Sequence, residues 1–255
     1  MLKIYILLKD KKVRPNQILQ QKEGRTMKKI EVITMNVRDT LQAEELGVDR
    51  VELVSAMKEG GLTPSYGTIK NVLAHAEIPV QIMVRPHSYS FVYDQNDWNT
   101  IKEDILVINS LGGNRIVFGC ITPTGAIDES LLLKVIELVP DLDITFHRAF
   151  DSVSSQIEAY KILSKYKKNV KRVLTSGGRP IALEGSNMLK KLVTLSQEIN
   201  GPEILVGAGV TPENIADLDA QIHANEYHIG SGVRVDGDFC QPIDKSKIQF
   251  LKNLW

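Results

Sequence analysis

The sequence predicts an α/β protein that folds as a single (β/α)8 barrel, the TIM-barrel fold. From Lys28 onward, short runs rich in β-branched residues alternate with helical patterns of roughly 10 to 15 residues. This alternation indicates parallel strands joined by right-handed crossovers, and eight such units in residues 28–255 fit a closed barrel. An open doubly wound sheet is the alternative. It is less favoured because Thr34-Met35-Asn36, rather than a G-x-G-x-x-G motif, follows the first strand.

The elements follow in chain order. The predicted strands are Lys29–Thr34, Arg50–Leu53, Val80–Val84, Arg115–Phe118, Asp143–Phe146, Arg172–Thr175, Glu203–Val206 and Glu226–Ile229. The predicted helices between them are Arg38–Leu46, Ser65–Ala76, Asp97–Leu111, Asp128–Val139, Ser154–Tyr166, Met188–Ile199 and Glu213–Leu218, and an amphipathic segment, Lys245–Leu254, closes the chain. Several helices begin at Asp, Ser or Thr, which favour the N-cap position.

We expect residues 1–27 to be an N-terminal extension and residues 28–255 to be one barrel domain. The extension carries seven Lys/Arg and two Asp/Glu, a net charge of +5, so the barrel carries −5 and the whole chain zero. Met27 stands directly before the first strand pattern and is an alternative start of translation. The extension has no chemistry of its own in this interpretation.

Composition excludes several classes of protein. A net charge of zero argues against a nucleic-acid partner, because phosphate contacts require a basic surplus or face. No apolar run approaches the roughly 18 residues that a bilayer span needs, so no membrane partner is expected. Two cysteines, Cys120 and Cys240, are too few for a disulfide framework, which favours a reducing compartment and a cytoplasmic location.

Ionisable residues lie within or directly after the strands, where a barrel of this type places its chemistry. A parallel barrel strand is buried on both faces, so each such residue must be paired or must lie in a solvated mouth. They suit acid–base chemistry on a small anionic ligand. The candidate catalytic residues are Glu31, Glu52, Arg85, His147, Arg148 and His228.

The alternative for this set is a structural ion-pair layer in which Arg85 and Arg148 neutralise Glu31 and Glu52. For any one residue the two interpretations are about equal. Four strands that contribute both charge signs and imidazole favour a binding site for the set as a whole.

Glycines follow the last strands and form a second pattern. Backbone N–H groups in such loops can approach an anion, and barrels of this type often bind phosphate after strands seven and eight. Arg234 would add a cation, and with Arg85 and Arg148 it predicts a cationic mouth on an acidic barrel. Glycines that merely permit tight turns are the slightly favoured alternative, because G-x-G alone is a weak pattern. The candidate anion-binding residues are Ser176, Gly177, Gly207, Gly209, Gly230 and Gly232.

Specific strings occur in order along residues 29–234. They are VEL (51–53), EGGLTPS (59–65), MVRP (83–86), VFG (117–119), TFHRAFD (145–151), RVLTSGG (172–178) and EYH (226–228). In these strings the chain resembles the CutC family of copper homeostasis proteins. The resemblance implies a cytoplasmic (β/α)8 barrel, a homo-oligomer such as a dimer, and an association with copper handling. It implies no established reaction.

The resemblance also suggests copper(I) as a cofactor, and here the chain departs from the family pattern. Many relatives carry cysteine two residues after each of the first two strand glutamates, where this chain has Ile33 and Val54. Thiolate and thioether ligands suit Cu(I). The remaining soft or imidazole donors near the mouth are Met35, Met57, Cys120 and His147, of which Cys120 and His147 are the candidate metal ligands.

Three hypotheses follow for function. The chain is a copper-linked protein that binds Cu(I) weakly or acts indirectly, an enzyme on a small anionic substrate such as a phosphorylated compound, or a non-catalytic assembly or sensor protein with a structural polar mouth. In the enzyme hypothesis Glu52 transfers the proton, Glu31 and His147 assist, and Arg85 and Arg148 hold the anion.

Overall fold

A closed barrel of eight parallel strands forms the centre of the protein. The computed structural model describes residues 28–255, so the predicted extension at residues 1–27 lies outside the described residues. Each strand pairs with the next in sequence, and the last pairs with the first. The strands are β1 Lys29–Thr34, β2 Arg50–Leu53, β3 Val80–Met83, β4 Arg115–Phe118, β5 Asp143–Phe146, β6 Val170–Thr175, β7 Glu203–Val206 and β8 Glu226–Ile229.

Helices follow the strands in alternation, as the sequence predicts. They are α1 Val37–Glu45, α2 Tyr66–His75, α3 Gln95–Ser110, α4 Glu129–Leu138, α5 Gln156–Ser164, α6 Ser186–Ile199, α7 Ile215–Ile222 and α8 Lys245–Lys252. The (β/α)8 prediction is therefore confirmed, and the open doubly wound sheet is excluded by the β1–β8 pairing. None of the helices in residues 28–255 has both the length and the apolar character that crossing a membrane requires.

N-cap side chains explain where several helices begin. The Asn36 side chain accepts a hydrogen bond from the Asp39 N–H at the start of α1, and Ser65 caps α2 in the same way through Thr68. Asp94 and Asp97 form a reciprocal capping box at α3, so this helix begins two residues earlier than the pattern predicts. Each cap satisfies backbone donors that the first helical turn leaves without a partner.

Strand alternation divides the apolar residues into two clusters. Outward-facing residues such as Val32, Val51 and Ile82 belong to the large core between strands and helices. Inside the barrel, Ile33, Val54, Met83 and Val117 form a much smaller cluster near the C-terminal ends of the strands. The rest of the barrel interior is therefore left to polar and charged side chains.

Candidate active site

Three ionisable side chains from adjacent strands meet inside the barrel. The β1–β8 register pairs Glu31 with His228. The β1–β2 register pairs Glu52 with Ile33, which lies two residues after Glu31 on the same face of β1. Glu31, Glu52 and His228 are 0%, 3% and 7% exposed. His228 donates a hydrogen bond from Nδ1 to Glu31 Oε1 over 2.7 Å, and its Nε2 lies 3.7 Å from Glu52 Oε2.

Arg50 pairs with the Glu31 carboxylate of this cluster on its N-terminal side, inside the barrel. Its guanidinium donates from Nε to Glu31 and from Nη2 to Glu226 Oε2, the latter over 2.6 Å. Burial raises the pKa of Glu31, but the Arg50 charge and the His228 hydrogen bond outweigh burial and hold it well below its ordinary value. Arg50 is absent from the predicted site residues, although period-two alternation in β2 places it on the same face as Glu52.

Glu52 is in the opposite electrostatic state. Burial raises its pKa to about 7, an effect that the His228 charge only partly offsets and that the neighbouring Glu31 increases. One of its oxygens, Oε1, is buried without a hydrogen-bond partner. Burial lowers the pKa of His228, but Glu52 and Glu31 together raise it above its ordinary value. The raised pKa favours the imidazolium form of His228, which lies between an ionised carboxyl, Glu31, and a protonatable one, Glu52.

The N-terminal half of the barrel interior holds a second ion network. Arg172 donates from Nη1 to Asp143 Oδ1 over 2.7 Å, and Arg115 donates to the other oxygen of Asp143 over the same distance. Arg172 also lies 3.6 Å from Glu226, which joins this network to Arg50. A structural ion-pair layer therefore exists. Its cations are Arg50, Arg172 and Arg115 rather than the expected Arg85 and Arg148.

A cavity of about 290 Å³ opens above the Glu52 and His228 side chains at the C-terminal ends of the strands. Ile33, Met83, Leu174, Phe91 and Phe239 give it apolar walls. Besides the β7 and β8 loops, its polar lining includes five of the six predicted catalytic residues, namely Glu52, Arg85, His147, Arg148 and His228. Glu31, the sixth, lies beneath His228 and contacts the cavity only through it.

The arginines around the cavity have different partners. Arg148 donates to Asp151 Oδ2 over 2.8 Å and to Ser176 Oγ over 3.0 Å, and its side chain is partly exposed. Arg234 was expected at the mouth, but this is wrong. It is fully buried outside the cavity lining and donates to Asp39 Oδ2 over 2.7 Å and to the Ile33 carbonyl. The cations of the mouth are therefore Arg85 and Arg148.

The loop after β6 does not offer the predicted anion site. The N–H groups of Ser176 and Gly178 donate to the carboxylate of Asp151, and the N–H of Gly177 donates to Thr175 Oγ1. The carboxylate of Asp151, in the TFHRAFD string, thus occupies the position where Ser176 and Gly177 were expected to bind an anionic ligand. Neither residue lines the cavity.

The loops after β7 and β8 retain the geometry expected of an anion site. Gly209, Gly230 and Gly232 line the cavity, whereas Gly207 lies below it, where a Cβ would come 2.6 Å from Leu174 Cδ1. Ala208 and Gly209 both have positive φ angles, 73° and 69°. Such a conformation at an alanine costs roughly 1 kcal/mol or more and is typical of functional loops.

Backbone donors in the β7 loop are available to a ligand. Within residues 28–255, no protein group accepts a hydrogen bond from the N–H of Gly209 or Val210. The two loops touch at Gly232, where a Cβ would come 2.5 Å from the Val210 carbonyl oxygen. Glycine at 232 is therefore required for the β7 and β8 loops to approach each other.

The candidate copper ligands do not converge. Cys120 is buried in the large core outside the cavity, its thiol donates to the Asp128 carbonyl, and burial raises its pKa well above the ordinary value. His147 lines the cavity, as do Met57 and Met83, but Cys120 does not. Glu31, Glu52 and His228 have ligand atoms within 4.8 Å of one another. Both Glu31 oxygens already accept hydrogen bonds, which leaves His228 Nε2 and Glu52, a pair unlike the soft ligands that Cu(I) prefers.

Comparison with known proteins gives one family. The family model described as CutC family matches residues 28–233. CutC family proteins from Salmonella typhimurium and Pasteurella multocida are both 36% identical to the chain, over 205 residues (80% of each chain) and 208 residues (81% of this chain and 84% of the relative). The resemblance drawn from the sequence motifs is thereby confirmed.

Solved structures agree with the fold. CutC from Streptococcus agalactiae is 30% identical, with a TM-score of 0.73 over 80% of this chain and 98% of that one. Phosphoribosyl anthranilate isomerase from Thermotoga maritima is 18% identical, with a TM-score of 0.58 over 89% of this chain and 98% of that one. At that identity the second likeness shows the barrel fold alone.

Proposed function

The chain belongs to the CutC family, and from this premise we propose that it serves copper homeostasis, the role for which the Streptococcus agalactiae relative is named as a candidate. We propose that it does so indirectly, as an enzyme that performs acid–base chemistry on a small anionic substrate in the mouth of the barrel.

The observation that carries this proposal is the state of Glu52. Its carboxyl lines the cavity, has an unpartnered buried oxygen, and has a pKa raised by burial to about 7. A general base works best when its pKa lies near the operating pH. Glu31 stays ionised because its pKa is held well below the ordinary value, and His228 is hydrogen-bonded to it, so Glu52 is the carboxyl that exchanges protons.

Anion binding is supported on the opposite side of the cavity. The N–H groups of Gly209 and Val210 have no protein acceptor, and Arg148 brings a partly exposed guanidinium to the same cavity. Oriented backbone amides and a guanidinium are the usual ligands of a phosphate or carboxylate. The substrate therefore carries an anionic group that binds away from Glu52.

A Cu(I) carrier is supported less well. The two positions where many relatives have cysteine hold Ile33 and Val54, which pack in the apolar cluster inside the barrel. Cys120 lies in the other core, with a carbonyl as its partner. A carrier needs soft donors at one point. Here Cys120 lies in the large core, whereas Met83 belongs to the small cluster inside the barrel and Met57 packs against it.

Thermal unfolding with inorganic phosphate tests the anion site. We expect phosphate to raise the melting temperature of the wild type, and Gly232→Ala and Arg148→Gln to reduce this rise. Gly67→Ala is the control, since a Cβ there meets nothing within 4 Å. The rise is measured against each variant's own melting temperature without phosphate. No rise in the wild type, or equal rises in all four proteins, would contradict the site.

A Cu(I) titration under anaerobic reducing conditions distinguishes the two roles. The enzyme proposal expects no stoichiometric uptake by the wild type. Stoichiometric uptake that is lost in Cys120→Ser would favour the carrier instead.

We further propose a cytoplasmic location and a homodimer. Both cysteines are free, which agrees with a reducing compartment. Light scattering coupled to size exclusion gives the mass of the particle, and a mass of one chain would contradict the dimer.

A further inference from the structure

Three residues that line one cavity each have a buried side-chain polar atom without a hydrogen-bond partner. The atoms are Glu52 Oε1, Arg85 Nε and His147 Nε2. A buried donor or acceptor left without a partner is energetically unfavourable. Three in one cavity indicate that a ligand supplies the missing partners, so their chemistry describes the ligand.

His147 is a neutral hydrogen-bond donor. The N–H of Ala149 donates to His147 Nδ1 over 3.1 Å, so Nδ1 is unprotonated and the ring proton is assigned to Nε2. Burial, together with the nearby Arg85 charge, lowers the pKa of His147 to about 3. The side chain is 3% exposed. At neutral pH, His147 Nε2–H therefore offers a hydrogen bond without a positive charge.

Gly119 makes this placement possible. A Cβ at position 119 would come 2.6 Å from His147 Nδ1. The register pairs Met83, Val117 and Thr145 across β3, β4 and β5, and two residues further along come Arg85, Gly119 and His147. Arg85 and His147 thus stand at equivalent positions on either side of a glycine, and both contact Phe91.

Arg85 is fixed in place with one donor to spare. Its Nη1 donates to the carbonyls of residues 59, 60 and 61, each over 3.2 Å, and Nη2 donates to that of Ser88 over 3.0 Å. No carboxylate accepts a hydrogen bond from it within the described part of the chain. The Nε–H remains without a partner, on a cation that hydrogen-bonds to carbonyl groups and is only partly offset by the charge of Glu59.

The cavity therefore presents a proton acceptor and two proton donors to the same ligand. We propose that His147 Nε2–H and Arg85 Nε–H bind the carbonyl oxygen of a substrate and that Glu52 removes a proton from the carbon next to that carbonyl. The substrate class is thus an anionic hydroxy-aldehyde or hydroxy-ketone, with a sugar phosphate as the type that the β7 and β8 loops fit. This inference rests on the proposed function, because it takes the same cavity and the same base.

The step balances without a further reagent. The C–H bond breaks and its proton goes to the Glu52 carboxylate. The electron pair of that bond forms a carbon–carbon double bond, and the π electrons of the carbonyl move to oxygen, where the His147 and Arg85 donors stabilise the developing charge. Return of the proton to the same carbon re-forms the carbonyl and gives exchange. Return to the former carbonyl carbon, with the proton of the adjacent hydroxyl passing to the former carbonyl oxygen, gives isomerisation.

Proton exchange in D2O tests the proposal directly. The wild type is incubated with a panel of aldose and ketose phosphates of three to six carbons, and NMR follows deuterium at the carbon next to the carbonyl. We expect exchange with at least one member. Glu52→Gln should slow it by about 100-fold or more, and His147→Ala by a similar factor. His147→Gln, which keeps an N–H donor, should recover part of the loss.

A second measurement addresses His147 without a substrate. In 15N NMR of the histidine rings, His147 should remain neutral, with the proton on Nε2, from pH 5 to pH 9. Titration of this ring near its ordinary pKa of 6.5, or a proton on Nδ1, would overturn the assignment.

The outcomes separate this inference from the proposed function. Phosphate stabilisation of the wild type with no exchange in any panel member would overturn the carbonyl chemistry and leave the anion site standing. Failure of both would overturn the proposed function as well. Equal exchange rates in His147→Ala and the wild type would remove His147 from the reaction, provided that both proteins melt cooperatively.

Discussion

Replacing Glu52 by Gln should change how stability depends on pH. Glu52 is 3% exposed, and its pKa rises from an ordinary 4.5 to about 7 on folding. Between these values the unfolded chain has lost the proton that the folded protein keeps. The wild type therefore loses stability as pH rises, by about 1.4 kcal/mol per pH unit, or about 3 kcal/mol in total.

Glutamine has the same shape and no proton to lose. In Glu52→Gln the fall in the free energy of unfolding between pH 4 and pH 8 should thus be smaller by about 3 kcal/mol. His228 acts in the same direction, because without Glu52 its pKa rises less and less stability is lost as pH increases. Urea unfolding at several pH values measures the difference, with the m-value as a check that both proteins unfold to the same extent.

Glu31→Gln is the matched control, because the pKa of Glu31 is lowered on folding. The ionised Glu31 stabilises the protein above its unfolded pKa, so this variant should lose stability at pH 8 and lose less as pH falls. The two substitutions are chemically identical and two strand positions apart in register, yet they predict opposite signs. A wild-type pH dependence in Glu52→Gln would refute the raised pKa and, with it, the role of Glu52 as the base.

Three further predictions follow from other contacts. Arg50→Gln should reduce the free energy of unfolding by about 3–5 kcal/mol, because Glu31 and Glu226 are left as buried charges. The control Lys161→Gln, which removes an exposed ion pair, should reduce it by under about 1 kcal/mol. Urea unfolding compares the two variants. Gly119→Ala should destabilise by about 1–3 kcal/mol in the same assay, since its Cβ meets the His147 ring, and a cost as small as that of Lys161→Gln would contradict the contact. Cys120→Ser should match the wild type in a Cu(I) competition titration, with no stoichiometric uptake by either protein, since the Cys120 thiol faces the Asp128 carbonyl outside the cavity; uptake by the wild type that Cys120→Ser lacks would refute this.

The sequence predicts the fold well because its information is local and periodic. Six of the eight strands have the predicted bounds, and in four of these a glycine or histidine directly follows the apolar run. Helix bounds are less accurate. The pattern places the start of α3 at Asp97, but the Asp94 side chain caps the helix and moves its start to Gln95.

The site is predicted less completely, because partners across a barrel are not visible in a strand pattern. Glu31, Glu52 and His228 are found as ionisable residues inside strands. Their cation, Arg50, also lies in a predicted strand, but its importance depends on which strands are neighbours after the barrel closes. The anion site predicted in the loop after β6 is wrong for a related reason. Its glycines suit an anion, and only the folded chain shows that Asp151 is that anion.

The charge pattern of the barrel interior argues for chemistry at its mouth rather than for stability alone. In the N-terminal half, the charge of Arg172 is paired with Asp143 over 2.7 Å and with Glu226 over 3.6 Å, as expected of a layer that holds strands together, although Arg172 Nε has no hydrogen-bond partner. In the C-terminal half, Glu52, Arg85 and His147 line one cavity and each has a buried polar atom without a partner, while other hydrogen bonds fix the positions of Arg85 and His147. A purely structural layer would gain by pairing these atoms with each other or by replacing them with apolar side chains. Their arrangement, an acceptor on the β2 side and donors on β3 and β5, is instead complementary to a ligand that is polarised across the cavity.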